Sequence, residues 1–217
     1  MSIRNCICCI TTLIACVFIS TDSAAEIVIA FEPQVAINQG ETGQLDVFIR
    51  STAAQTDFLG IYSAKFRITP IAGGGLSFLD PPRDAHYGDS NYIFAGTTHD
   101  GLSSTVTAPN TIVAGDGTMG PAGVVEVTAE NRLLVTLDFD TSQAAVGSQF
   151  QISMVDDADT DFLDDGFASL PIAAESFSNF GTVTITAIPE PSGFAALGFA
   201  VSGMTLFRRR RRNSLLI

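Results

Sequence analysis

Ile61-Tyr62-Ser63-Ala64-Lys65-Phe66-Arg67-Ile68 is the stretch on which the fold of this chain turns. Successive side chains of an extended strand point to opposite faces. Tyr62, Ala64, Phe66 and Ile68 therefore fall on one side, and Ile61, Ser63, Lys65 and Arg67 on the other. A face of aromatic and aliphatic groups opposite one with two cations is the pattern of a sheet covered on one side.

The same period recurs on both sides of this stretch. Leu45, Val47 and Ile49 alternate with Gln44, Asp46 and Phe48, and Leu133, Val135, Leu137 and Phe139 alternate with Arg132, Leu134, Thr136 and Asp138. Phe150, Ile152 and Met154 stand opposite Gln149, Gln151 and Ser153; Val183 and Ile185 alternate with Thr182, Thr184 and Thr186, β-branched residues that favour a strand. Glu26 to Phe31 is a short apolar run stopped by Pro33, and Pro70 with Gly73-Gly74-Gly75 ends the deciding strand. Leu76, Phe78 and Leu79 return as a short strand closed by Pro81-Pro82. Between Arg83 and Pro121 glycine interrupts every few residues, and the segment reads as long loops crossing one end of the fold, with Asn91 to Ala95 and Thr111 to Ala114 as candidate strands. No part of the body shows a sustained three-to-four-residue apolar period. The expectation is an all-β, two-layer antiparallel β-sandwich over residues 26–188, preceded by a signal peptide and followed by a C-terminal transmembrane helix.

Both ends of the chain are directed to membranes. Arg4 precedes an apolar run from Ile7 to Ile19, and Ser23-Ala24-Ala25 puts small residues where a signal peptidase reads, so residues 1–25 are expected to leave by cleavage between Ala25 and Glu26. Leu13-Ile14-Ala15-Cys16 also fits a lipoprotein box, although Val17, Phe18 and Ile19 prolong the apolar run past the cysteine. All four cysteines lie here, and the mature body is left without disulfides, thiolate metal sites or cysteine nucleophiles. At the other end, Pro189-Glu190-Pro191-Ser192 precedes an uncharged run from Gly193 to Phe207 and then Arg208, Arg209, Arg210, Arg211 and Arg212, with 213–217 as a short end. Such a run spans about 22 Å as a helix against roughly 30 Å of hydrocarbon, so its flanks must reach the headgroups. The arginines would stay cytoplasmic and the body outside. A plain tail anchor, or a buried helix with a basic tail, would show the same residues.

The order of these parts, a Pro-Glu-Pro-Ser tetrapeptide, a small-residue-rich apolar helix and a terminal arginine cluster, resembles the PEP-CTERM sorting signal of Gram-negative bacteria. The resemblance covers 189–212. It implies that an exosortase, a membrane-embedded transpeptidase, recognises Pro189, Glu190 and Pro191 after export and removes the helix. An inner-membrane-anchored precursor would then become a protein of the envelope or extracellular matrix, alongside exopolysaccharide. The strand from Phe58-Leu59-Gly60-Ile61-Tyr62 to Phe66-Arg67-Ile68, and Phe177-Ser178-Asn179-Phe180-Gly181 before the last strand, are similar to the cohesin-like, carbohydrate-binding-module-like domains of many such proteins. That likeness implies the sandwich and carries no partner with it.

Charge excludes partners more sharply than it names them. Residues 26–188 hold 21 acidic and five basic side chains, a difference of −16, which repels nucleic acid and anionic headgroups. Asp156, Asp157, Asp159, Asp161, Asp164 and Asp165 crowd one turn, and Asp157, Asp159 and Asp161 have the spacing of a calcium loop. Phe162 stands where an EF-hand requires glycine and Ala168 where it requires its bidentate glutamate, which leaves two readings. One is a solvated acidic loop; the other is a looser calcium site drawing on Asp157, Asp159, Asp161 and Asp164. No other cofactor is expected. His86 and His99 are two loop imidazoles 13 positions apart that could form a His-carboxylate metal site with Asp84, Asp89 and Asp100, and Gly-x-Ser-x-Gly is absent, so no nucleophile elbow is expected. The functional expectation is a non-catalytic envelope or matrix protein handled by signal peptidase and exosortase. The alternative is a binding module for extracellular polysaccharide or a matrix protein, with Tyr87 and Tyr92 as the aromatic faces; a secreted hydrolase is a third class.

Overall fold

The computed structural model describes residues 25–52, 57–79, 89–98, 103–118 and 123–188. The deciding stretch forms the first two thirds of β5 (Ile61–Ala72), and its buried side is Tyr62, Ala64, Phe66 and Ile68, as its alternation requires. Before it come β1 (Ile27–Phe31), β2 (Gln34–Asn38), β3 (Thr42–Ser51) and β4 (Asp57–Leu59). After it come β6 (Ser77–Phe78), β7 (Ser103–Ala108), β8 (Thr111–Gly117), β9 (Val125–Val127), β10 (Arg132–Asp140), β11 (Gln149–Met154), β12 (Asp161–Leu163), the single-turn helix α1 (Glu175–Ser178) and β13 (Phe180–Thr186).

The strands make two layers and a separate two-stranded ribbon of β4 with β9. One sheet runs β1-β3-β10-β6; the other runs β2-β13-β11-β5-β8-β7, with β12 pairing a further stretch of β5. Leu45, Val47, Ile49, Val135, Leu137 and Phe139 from the first layer meet Tyr62, Phe66, Ile68, Phe150, Ile152, Val183 and Ile185 from the second in one buried core. Burying each such side chain contributes about 1.5–3 kcal/mol. Phe31 meets Phe66 edge-on across the layers, ring centroids 6.1 Å apart at 87°.

Four features depart from expectation, each for a local reason. First, one pair of the sandwich is parallel: β13 runs alongside β2, Thr182 opposite Gln34 and Thr186 opposite Asn38. Pro33 separates β1 in one layer from β2 in the other, so the chain just past the Glu26-to-Phe31 run forms a second strand, in the other sheet and beside the last strand of the chain. Second, the glycine-rich middle is not all loop, because β7 and β8 form a hairpin that adds to β5 through Ser63–Gly115, Lys65–Val113 and Arg67–Thr111. Glycine is required inside that strand: a Cβ on Gly115 would stand 2.7 Å from the Tyr62 carbonyl oxygen. Asn91 to Ala95 forms turns, touching β10 by a bridge from Tyr92 to Leu133. Third, β10 is buried on both faces, Leu134, Thr136 and Asp138 included, and its register shifts between Leu133 and Val135. Fourth, the chain does form one helical turn.

That turn belongs to a segment closing the outer edge of β1. The Ile27 amide donates to the Pro171 carbonyl at 2.8 Å, the Ala173 amide to the Ile27 carbonyl at 2.8 Å, and the Ile29 amide to the buried Ser176 hydroxyl at 2.9 Å. Asn179 Nδ2 donates to the Ile29 carbonyl at 3.0 Å. An edge strand that would otherwise template aggregation is thereby satisfied within the chain.

Among the described residues no helix is long and apolar enough to cross a membrane. The expected signal peptide through Ala24, the Pro189-to-Ser192 peptide, the apolar run and Arg208 to Arg212 all lie outside the described residues. Of the expected signal cleavage site, Ala25 and Glu26 are described, immediately before β1.

Candidate binding face

The outer face of the larger sheet can be laid out row by row from its ladders. Thr182 lies between Gln34 and Gln151, and Gln151 is opposite Thr69. Thr184 lies between Ala36 and Gln149, and Phe180 beside Ser153, which is opposite Arg67. Lys65 is opposite Val113, which is opposite Thr105. The result is a broad, weakly charged surface of threonine, glutamine and serine, exposed or half-buried throughout. Three large apolar groups stand out of it, Ile71 at 56% exposure, Phe180 at 49% and Ile61 at 39%.

One ion cluster anchors this face. β11 and β12 both pair with the same edge of β5, and the chain between them loops away at Lys65. The Val155 amide donates to the Lys65 carbonyl at 2.8 Å, the Lys65 amide to the Thr160 hydroxyl at 3.1 Å, and the Ser63 hydroxyl to the Asp159 carbonyl at 2.8 Å. The Lys65 ammonium then sits 2.8 Å from Asp157 Oδ2 and 2.6 Å from Asp159 Oδ2. Hydrogen bonds donated to Asp157 and then Asp159 hold the Lys65 ammonium above its ordinary range, and the hydrogen bond from Lys65 holds the Asp157 carboxyl below its own.

The four aspartates weighed as calcium ligands are thus divided by the fold. Asp157 and Asp159 come together, on an ammonium. Asp161 accepts from its neighbour's amide at Phe162 and from the Ser169 hydroxyl at 3.1 Å. Asp164 accepts the amides of Gly166 and Ala168, each at 2.8 Å, and closes a turn. Among the described residues no three acidic or imidazole groups are placed to hold a metal ion. Lys65 is the cation that Asp157 and Asp159 share in this arrangement.

Of the two tyrosines weighed as sugar platforms, Tyr87 lies outside the described residues, as do His86 and His99. Tyr92 is inside the core with no exposed surface, and its hydroxyl donates to Asp116 Oδ2 at 2.5 Å. Asp116 also accepts from the Thr98 hydroxyl at 2.9 Å and the Gly117 amide at 2.7 Å, while Arg132 Nη2 donates to the Tyr92 carbonyl at 2.6 Å. Tyr92 is therefore corrected from a ligand platform to a bolt that fixes 89–98 between the layers; a phenol buried among apolar rings requires such a partner.

No protein-family model matches the chain, and no curated protein does. Solved structures similar to it include cohesin modules. The sixth cohesin of scaffoldin B from Acetivibrio cellulolyticus, solved in complex with a Cel5 dockerin mutant, is 13% identical at a TM-score of 0.49, covering 75% of this chain and 99% of that one. The seventh ScaB type I cohesin of Pseudobacteroides cellulosolvens is 11% identical at 0.45, covering 77% and 96%. The cohesin module of a family 33 glycoside hydrolase from Clostridium perfringens is 9% identical at 0.42, covering 76% and 98%. These figures carry no argument about function, and the sandwich stands on its own ladders.

Lys65, Phe180 and Ile71 had not been singled out as site residues. The alternation of β5 already placed Lys65 outward, but its acidic partners are more than 90 positions away, and no local pattern joins them. A second overlooked group is Phe167, the one non-glycine among the described residues with positive φ, 61°, and 76% exposed. Its signal is the preceding Asp164-Asp165-Gly166, a turn string.

Proposed function

We propose that this protein is an exported, non-catalytic module that binds a partner protein through the outer face of its larger sheet. The observation that carries the reading is that face itself: neighbouring strands present rows of uncharged threonine, glutamine and serine, with Phe180 and Ile71 projecting. Uncharged polar groups are desolvated at lower cost than carboxylates or ammoniums, and an interface core depleted of charge around a few large apolar anchors is the usual composition of a protein-binding surface. The outer side of the smaller sheet is different in kind: Gln44, Asp46, Thr136 and Asp138 hydrogen-bond one another there, with Thr136 and Asp138 buried.

Delivery is proposed on the residues at the two ends. Signal peptidase would cut before Glu26, and an exosortase-type enzyme would act at Pro189-Glu190-Pro191 and remove the apolar helix, leaving the module in the envelope or extracellular matrix. The strand boundaries support this division. β1 starts at Ile27 and β13 ends at Thr186, so both cuts would fall just outside the ladders and cost the sandwich no strand.

Site-specific photo-crosslinking in the native host tests the binding reading. A crosslinker at Gln151 should give one discrete protein adduct, lost on Phe180→Asp, while one at the exposed Glu130 should give none. Equal or absent adducts at both positions would overturn it. Intact mass of the envelope protein tests delivery, since retention of 193–217 in the final form refutes processing at the Pro-Glu-Pro peptide.

A further inference from the structure

The edges of the two sheets are not treated alike. β1 is closed by the 171–179 segment, and on β7 both Ser104 and Val106 have partners of their own. β2 is open. Its Pro33 carbonyl accepts from the Thr182 amide and its Gln39 amide donates to the Thr186 carbonyl, so odd-numbered residues face β13. The amides and carbonyls of Gln34 and Ala36 then point away from the sheet, and neither backbone meets a hydrogen-bond partner among the described residues. Across from them, the Glu32 amide reaches the Asp46 carbonyl, which fixes the even-numbered residues of β3 toward the same side. Beyond Asp46, where the chain has left for the other layer at Pro33, the Gln44 and Thr42 backbones face the gap with no strand beside them among the described residues. A groove of about 250 Å³ lies there, lined by Val35, Ala36, Asn38, Thr42 and Gln44.

We infer that this groove takes an extended, basic segment of a partner protein as an added strand on β2. The backbone supplies affinity: four unpaired groups on Gln34 and Ala36 match one side of an incoming strand, the recognition mode in which main-chain hydrogen bonds bind and alternate side chains select. Charge chooses the occupant. Residues 26–49 contain Glu26, Glu32, Glu41 and Asp46 and neither lysine nor arginine, and Glu32 and Glu41 flank β2 at its two ends. A second copy of β2 laid antiparallel on the first would bring the glutamates of the two chains together, whereas a strand with a cation at each end would neutralise them. The site adjoins the sheet face proposed above, whose rows end on Gln34 and Ala36, but it uses their outward backbone groups rather than that face, and either can fail alone.

The test uses the protein as recovered from cells, with the heptapeptide KTVTVTK as probe, ETVTVTE as its charge-reversed control, and amide hydrogen exchange as the readout. KTVTVTK should slow exchange at Gln34 and Ala36 several-fold, and ETVTVTE should not. Ala36→Pro removes an amide that the β13 ladder does not use, so the fold should hold while protection at Gln34 disappears; Ala36→Thr, which keeps the amide, should retain it. If the proline variant fails to fold, Glu32→Lys combined with Glu41→Lys supplies the alternative, because it should reverse the preference to ETVTVTE. Crosslinks from Gln151 should survive all of these changes. Slow exchange at Gln34 in the free protein, equal protection by both peptides, or a dimer in sedimentation that Ala36→Pro dissociates would each overturn the inference, the last by naming a second copy as the occupant.

Discussion

Replacing Ser176 by alanine tests how the sandwich closes its outer edge. The Ser176 hydroxyl is fully buried, accepts the Ile29 amide at 2.9 Å and approaches the Ile27 carbonyl at 3.4 Å. Alanine keeps the backbone of α1 and leaves a hole of one oxygen atom, too small for a water to take over the bond. The Ile29 amide is then a buried donor without an acceptor, which costs about 1–3 kcal/mol. For a domain of this size about 2 kcal/mol lowers Tm by roughly 4–8 °C. Urea unfolding should move to a lower midpoint at unchanged slope, and exchange at the Ile29 amide should accelerate with it. Ser178→Ala is the control, since Ser178 is exposed and its hydroxyl meets only the Glu175 carbonyl of its own turn. A Ser176→Ala protein within about 0.5 kcal/mol of the wild type, with Ile29 still protected, would refute the assignment of this hydroxyl as the edge cap.

Three further outcomes are expected. Phe167→Gly should raise stability by about 1 kcal/mol in chemical denaturation, because a left-handed conformation strains phenylalanine and its ring, 76% exposed, buries little that could be lost; a loss of stability would show the ring to be packed. Gly115→Ala should cost about 1–3 kcal/mol, since its Cβ would lie 2.7 Å from a backbone oxygen of β5, and an unchanged Tm would mean that the β5–β8 ladder is looser than described. Lys65→Met should remove a contribution that is constant at neutral pH: Asp157 is held below its ordinary 3.8 and Lys65 above its ordinary 10.5, so the stabilisation is complete between those values, fades as pH falls through the lowered carboxyl value, and fades as pH rises through the raised ammonium value. The same variant frees Asp157 and Asp159, and millimolar calcium should raise its Tm beyond the effect of equal ionic strength while leaving the wild type unmoved; a calcium response in the wild type would favour the metal reading of this loop over the solvated one.

Alternation along β3, β5, β11 and β13 was enough to announce an all-β sandwich, because a side chain's face in a strand depends only on its position in the local sequence. Leu45, Phe66, Phe150 and Val183 are all buried where their period puts them. The failures share a cause. The β7–β8 hairpin is poor in large apolar residues, since β5 approaches it closely enough to require Gly115, and glycine in isolation reads as a breaker. Thr136 and Asp138 look like the solvent side of β10, yet they are buried, with Asp138 accepting from Gln44 across the sheet. Tyr92 reads as a loop aromatic until Asp116, 24 positions on, is seen to hold its hydroxyl.

What the sequence by itself determined is a set of faces, the residues of β3, β5, β11 and β13 that turn inward, together with the acidity of the body. Only the tertiary structure decided which strands are neighbours, and with that the larger sheet's outer face, the open edge of β2, and the pairing of Lys65 with Asp157 and Asp159. The physical reason is range. A strand's period is local and survives in any fold, while a ladder partner or a counter-ion is chosen by closing loops of tens to more than a hundred residues, and no residue pattern within the strand records which closure wins.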